Sequence, residues 1–140
     1  MSINTNINKQ KLIFHHSGLL VKNIYKSIEN YSQIFGQDAI SQIYEISSQQ
    51  VWVCFVKLNN DVYIELVQPF DDNDDFNQYF KRNISYYHNA YMSENFDSCL
   101  GSLTEKGLRV INIFNSEAFN NKRCAFLLTK EFHLFELIEK

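Results

Sequence analysis

His16 is followed 49 residues later by Glu65, and His88 is followed 48 residues later by Glu136. Each histidine lies in an apolar, strand-like run that leads into a helical pattern. Each glutamate lies in an alternating run, Tyr63-Ile64-Glu65-Leu66-Val67 in one case and Leu134-Phe135-Glu136-Leu137-Ile138 in the other. Type, order and spacing repeat at an offset of about 72 residues, the mark of a duplicated module. Two like modules paired about a pseudo-two-fold axis would bring two imidazole nitrogens and two carboxylates to one point, the donor set of one divalent metal ion. These ligands suit Zn, Ni, Co, Fe or Mn and do not choose among them. They leave about two octahedral positions open to water or a substrate oxygen, so Lewis-acid chemistry becomes available.

Taken singly, each of the four has an ordinary explanation: a histidine in a strand as a core or edge residue, a glutamate as a solvated one. The pairing changes the weight. Both glutamates alternate with apolar neighbours, and an ionised carboxylate turned inward costs several kcal/mol unless a cation or a water-filled cleft compensates it.

The elements that would carry these side chains follow from periodicity. From Leu12 to Val21 a period of two puts Phe14, His16, Gly18 and Leu20 on one strand face and His15, Ser17 and Leu19 on the other. By that parity His15 points outward, as does His133 in the last strand. Phe14, Tyr63 and Tyr86 share the inward face, either lining a cavity or filling the core. Asn23 caps a helix with an Ile24, Ile28, Tyr31, Phe35 stripe that ends at Gly36. Strands follow at about Ala39 to Ser47, Val51 to Leu58 and Asp61 to Gln68, the last two joined in a hairpin at Asn59-Asn60. Pro69 closes the first module. Asp71, Asp72, Asp74 and Asp75 open a short connecting helix through Asn83; an EF-hand loop counted from Asp71 would need Gly and Glu where Phe76 and Arg82 stand. The second module repeats the plan: a strand from Tyr86, a helix capped by Asn95 and ended by Gly107, then strands Leu108 to Ile113, Arg123 to Thr129 and His133 to Glu139. The segment from Asn115 to Asn121 has no clear pattern. The expected fold is α+β, one domain over 1–140 made of two βαβββ modules (about 11–69 and 85–140) with a connector at 70–84. Their strands form a curved eight-stranded mixed sheet or partial barrel around a central cleft, with helices outside.

At 140 residues the chain is long enough to bury a core. Its 12 Phe and 8 Tyr suit a β-rich interior or a ring-walled pocket. A net charge of -3 with scattered Lys and Arg excludes a nucleic-acid footprint. Cys54, Cys99 and Cys124 make no CxxC and no even framework, so they are expected as buried apolar residues of a reducing compartment. The polar, Asn-rich stretch from Met1 to Gln10 lacks the apolar core of a signal peptide, and no later run is long enough for a membrane span. A cytoplasmic protein is expected. Phosphate-cradling glycine loops and nucleophile elbows are missing from a chain with 4 glycines.

These residues together resemble the vicinal oxygen chelate superfamily of glyoxalases, bleomycin-resistance proteins and extradiol dioxygenases, from about Leu12 to Glu139. The resemblance is strongest to the methylmalonyl-CoA epimerase-like branch. His16-Ser17-Gly18-Leu19-Leu20-Val21 is similar to its HxGxxV opening, Tyr63 to Pro69 to its IEL-x-x-P strand, His88-Asn89-Ala90-Tyr91 to its HHxAF-like segment, Lys122 to Phe126 to its KRxAF strand and Phe135-Glu136-Leu137 to its terminal IEL. The resemblance implies that His16, Glu65, His88 and Glu136 hold one divalent metal. It implies an isomerase, epimerase or lyase of small-molecule substrates that acts by proton transfer beside a metal-chelated carbonyl, with Glu136 doubling as ligand and base, in a homodimer. The family's other proposed base would lie on Val51-Trp52-Val53-Cys54, which carries no acid here. Two further classes stay open: a non-catalytic binder of the resistance type, and an Fe(II) dioxygenase.

Overall fold

In the computed structural model, which describes residues 11–140, each half of the chain lays down one β-α-β-β-β unit. The first comprises β1 (Ile13–Leu20), α1 (Ile24–Phe35), β2 (Ile40–Ile46), β3 (Val51–Asn59) and β4 (Val62–Pro69). After the connecting helix α2 (Asn77–Lys81), the second comprises β5 (Tyr86–Ser93), α3 (Phe96–Glu105), β6 (Arg109–Ser116), β7 (Lys122–Leu128) and β8 (Leu134–Glu139). The 1–10 segment, read above for targeting signals, lies outside the described residues.

All eight strands join one mixed sheet in the order β2-β3-β4-β1-β5-β8-β7-β6. The order is palindromic about the antiparallel β1–β5 pair, which places the pseudo-two-fold axis between them. Within each unit one pair is parallel, β1 with β4 and β5 with β8, and the rest are antiparallel. The sheet curls so far that the turn after β6 packs on β2 and the turn after β2 packs on β6. A half-barrel with an inner cleft results.

On β3, β7 and β8 alternation decides which residues enter the cleft. On β3, Val51, Val53 and Phe55 face inward while Cys54 and Val56 pack beneath α1 with Ile24 and Leu66. On β7 and β8, Phe126 and Glu136 face inward while Ala125, Leu127 and Leu137 pack under α3 against Phe96, Cys99 and Leu103. Each fully buried Leu or Val contributes roughly 1.5–3 kcal/mol relative to exposure, so the outer layers hold both glutamate-bearing strands in register.

Helices α1 and α3 begin as expected. The Asn23 side chain accepts from the Lys26 amide and the Asn95 side chain from the Ser98 amide, each satisfying an orphan donor of the first turn. Gly36 and Gly107 take φ of 92° and 100° beyond the helix ends, a region where a Cβ is disfavoured.

Several boundaries differ from the expectation. The β3–β4 hairpin turns at Asn60-Asp61, one residue later than Asn59-Asn60, with Asp61 at φ 57°. Strand β6 runs on to Ser116, and the patternless segment after it becomes a 3-10 turn, Glu117–Phe119, followed by left-handed Asn120 and Asn121. The same device, the 3-10 turn Ser47–Gln49 and a left-handed Gln50, joins β2 to β3. Three-residue turns carry too short a signal for periodicity to register.

Candidate metal centre

The four residues singled out in the sequence converge. One donor atom from each of His16, Glu65, His88 and Glu136 lies within 4.8 Å of the others, and all four residues are buried. The histidines come from the central β1–β5 pair and the glutamates from the flanking strands β4 and β8. His16 Nε2 is 3.0 Å from His88 Nε2. Glu136 Oε1 stands 3.2 Å from the first and 3.1 Å from the second, and Glu65 Oε1 stands 3.4 Å from each.

Four donors at such separations fit around one small cation. Adjacent ligands at bonds of about 2.1 Å to a first-row divalent ion lie about 3.0–3.4 Å apart. Glu136 Oε1 is buried and stands near both imidazoles without a well-directed N–H bond to either, while the two imidazoles meet each other at Nε2. An orphaned buried acceptor of this kind is what a cation would satisfy. The residues present therefore fit a divalent metal, and two carboxylates balance its charge.

Electrostatics in the metal-free protein agree. Burial pushes the His16 imidazole down, but Glu65 and Glu136 outweigh it and raise its pKa to about 9. Burial pushes Glu136 up, but contact with His16 and His88 outweighs it and holds the carboxyl at about 2. A proton occupies in part the place a cation would take.

Backbone geometry sharpens the site. Gly18, opposite His88 on β1, lies directly beneath the imidazole: a Cβ there would meet ring atom Cε1 and sit 2.7 Å from Nδ1. The Ser17 hydroxyl donates to Asn89 Oδ1 at 2.6 Å between the same strands, tying the modules at the axis. Phe55 lies opposite Glu65 in register and packs edge-on to His16; Phe126 lies opposite Glu136 and packs edge-on to His88.

Two expectations drawn from strict parity need correction. The β1–β5 register shifts between Phe14 and His16 and again between Gly18 and Leu19, so β1 carries an extra residue at His15 and β5 an extra residue at Tyr87. A bulge turns its extra residue out of the alternation. His15 consequently does not point outward: its ring stacks on Tyr63 at 4.7 Å, its edge contacts reach Phe55 and Phe119, and its Nδ1 is hydrogen-bonded to His16 Nδ1 at 2.8 Å. Burial and the neighbouring His16 charge hold His15 down to about 4. Tyr87, not Tyr86, lines the cavity, while Tyr86 is exposed and Phe14 packs edge-on to Tyr91. Tyr63 stacks on His15 and packs against the inner core, the second of the two roles expected for it. His133 is exposed, as expected. The offset of 72 residues relates His15 to Tyr87, a correspondence visible in the sequence once a bulge is known.

The small pocket above the four donors, ≈ 370 Å³ when the open solvent at its mouth is included, is walled by Val51, Val53, Tyr87, Phe114, Phe119 and Phe126 among others. Val51 and Val53 occupy the β3 positions where no acid was found. Burial, then Glu136 and Glu65, push the Tyr87 hydroxyl far above the usual tyrosine range, so it stays protonated. Phe119, at the end of the turn after β6, crosses the cleft to stack on His16 at 6.3 Å. Nothing in the sequence pattern marked it.

A curled palindromic sheet with paired His and Glu at its axis defines a two-module α+β half-barrel with a candidate metal centre. The chain belongs to the glyoxalase/bleomycin resistance protein/dioxygenase superfamily, whose family model matches residues 15–126. It is 26% identical over 130 residues to the mitochondrial methylmalonyl-CoA epimerase of Dictyostelium discoideum, covering 90% of this chain and 77% of that protein. Its fold is similar to that of a Streptomyces coelicolor methylmalonyl-CoA epimerase variant in complex with 2-nitronate-propionyl-CoA, with TM-score 0.79, 21% identity and coverage of 93% of this chain and 96% of the other. The Mycobacterium tuberculosis methylmalonyl-CoA epimerase superposes with TM-score 0.79 at 19% identity, over 96% of this chain and 93% of the other. Among the described residues no helix is long and apolar enough to cross a membrane.

Proposed function

We propose that this chain is a metal-dependent epimerase that moves a proton on the carbon beside a carbonyl, with methylmalonyl-CoA, named for its relatives, as the first candidate substrate. The observation that carries this reading is the convergence of His16, Glu65, His88 and Glu136 within 4.8 Å beneath a cavity. These four would hold one divalent ion. Such an ion, when bound, supplies positive charge beside the substrate's carbonyl oxygen and lowers the barrier to loss of the neighbouring proton.

Glu136 is the base in this scheme. Burial opposes its ionisation, but contact with His16 and His88 keeps the carboxyl ionised. With Oε1 among the four converging donors, the second carboxylate oxygen is the one left to take a proton. Glu65 and Glu136 stand on strands that flank the histidine pair on opposite sides. A proton removed by Glu136 and returned to the same face gives exchange alone; return from the opposite face inverts the centre. The valines and phenylalanines of the wall keep bulk water from the reacting carbon, which strengthens every charge interaction there. The protonated Tyr87 hydroxyl is a hydrogen-bond donor for substrate oxygen.

The experiment is to load the protein with Co²⁺ or Zn²⁺ and incubate it with one epimer of methylmalonyl-CoA in deuterated water. Deuterium uptake at the α-carbon together with inversion is expected. Absence of uptake with every divalent metal tested overturns the reading, and uptake without inversion reduces it to proton transfer on one face.

A further inference from the structure

His15 is a histidine beside the four donors that the proposed chemistry does not use. The bulge between Phe14 and His16 turns it toward His16, and three aromatic side chains hold it there: Tyr63 stacked at an interplanar angle of 27°, Phe55 and Phe119 edge-on. Its Nδ1 lies 2.8 Å from His16 Nδ1, and in such a contact between two imidazoles one nitrogen must carry the proton and the other accept it. His16 Nε2 is the atom aimed at the donor cluster, 3.0 Å from His88 Nε2. If that atom is to offer a lone pair, the His16 proton must sit on Nδ1. His15 Nδ1 is then the acceptor.

We propose that His15 is a positioning residue: its Nδ1 accepts the Nδ1–H of His16 and so fixes the tautomer that presents Nε2 to a divalent cation. The inference rests on the metal reading above and names the group that orients its first ligand. Ligating histidines are commonly oriented by a carboxylate, a carbonyl or water at the second nitrogen; here the partner is a second imidazole. The two modules differ in this respect. At the position related to His15 by the pseudo-axis stands Tyr87, and His88 Nδ1 is buried with no hydrogen-bond partner. The two histidines are therefore unequal ligands, His16 locked in one tautomer and His88 held mainly by packing over Gly18.

Two substitutions separate the hydrogen bond from the packing. His15→Phe keeps a flat ring against Tyr63 and removes the acceptor, whereas His15→Asn places an amide oxygen near the former Nδ1. Zn²⁺ affinity is measured by calorimetry on wild type and both variants, with folding verified by thermal melts. Nitrogen-15 spectra of the Zn²⁺-loaded wild type report which His16 nitrogen carries hydrogen. Expected are a protonated His16 Nδ1, a loss of roughly 10- to 100-fold in affinity for His15→Phe, and recovery of most of that loss in His15→Asn. Wild-type affinity in His15→Phe, or equal losses in both variants, overturns the role of His15 while leaving the metal site intact. Failure of wild type to take up Zn²⁺ or Co²⁺ at all overturns the site itself, and this inference with it.

Discussion

Gly18 lies under the imidazole of His88, so close that the smallest side chain would intrude on the ring: an added Cβ would stand 2.7 Å from Nδ1 and 3.0 Å from Nε2. The two residues face each other across the β1–β5 pair at the pseudo-two-fold axis. A methyl group at residue 18 must displace the ring that supplies one of the four donors. Gly18→Ala is expected to lower divalent-metal affinity at least ~10-fold, with an overpacking cost of about 1–3 kcal/mol in denaturant unfolding. Calorimetric titration with Zn²⁺ beside a urea melt checks both, and unchanged affinity would falsify the close-approach argument.

Glu136→Gln keeps the shape of the side chain and removes its basicity. Loss of a positioned base costs typically about 10²–10⁴-fold in rate, so α-proton exchange should fall by that factor while one metal ion per chain is still found by elemental analysis at saturating metal. Exchange at the wild-type rate would remove Glu136 from the role of base.

In the metal-free protein the buried charges give a defined pH window. His16 is raised from 6.5 to about 9, so its contribution is fully present below pH 6.5 and is lost as pH rises through 9. Glu136 is lowered from 4.5 to about 2, so its contribution is present above pH 4.5 and is lost as pH falls through 2. Their joint stabilisation is greatest between pH 4.5 and 6.5 and declines toward alkaline pH. His15, lowered from 6.5 to about 4, takes its proton more readily in the unfolded chain and subtracts stability as pH falls below 6.5, so the maximum lies near pH 6.5. Urea midpoints of chelator-treated protein measured from pH 4 to 10 should follow that course; a midpoint rising steadily up to pH 9 would contradict it.

A cation that takes the four donors must expel the His16 proton. Near neutral pH, metal uptake is therefore expected to release protons, and apparent affinity should climb about tenfold per pH unit toward pH 9. Titrations in buffers of different ionisation enthalpy read the number of protons directly, and a buffer-independent heat would show that His16 was neutral before binding.

Cys54, Cys99 and Cys124 are free and buried, and burial raises each thiol above its ordinary range. Thiol reagents are expected to react slowly with the native protein and with all three sites in denaturant. Fast labelling of one site in the native state would indicate a local opening at that strand or helix.

The paired His–Glu spacing and the alternation around it were enough to determine the two modules, the caps at Asn23 and Asn95, and the four residues that meet at the axis. Local period and capping chemistry act over a few residues, and duplication repeats them, so both are legible in one dimension. The identities of the cavity walls were not. Whether His15 or Tyr86 faces the cleft depends on one extra residue in a pair of strands, and a bulge is set by how β1 and β5 register against each other rather than by either run alone. The reach of Phe119 across to His16 likewise depends on how far the sheet curls, which is decided by the packing of the whole of each unit on its side of the axis. Short-range pattern determined which side chains exist to be used; only long-range register and curvature decided which of them stand together.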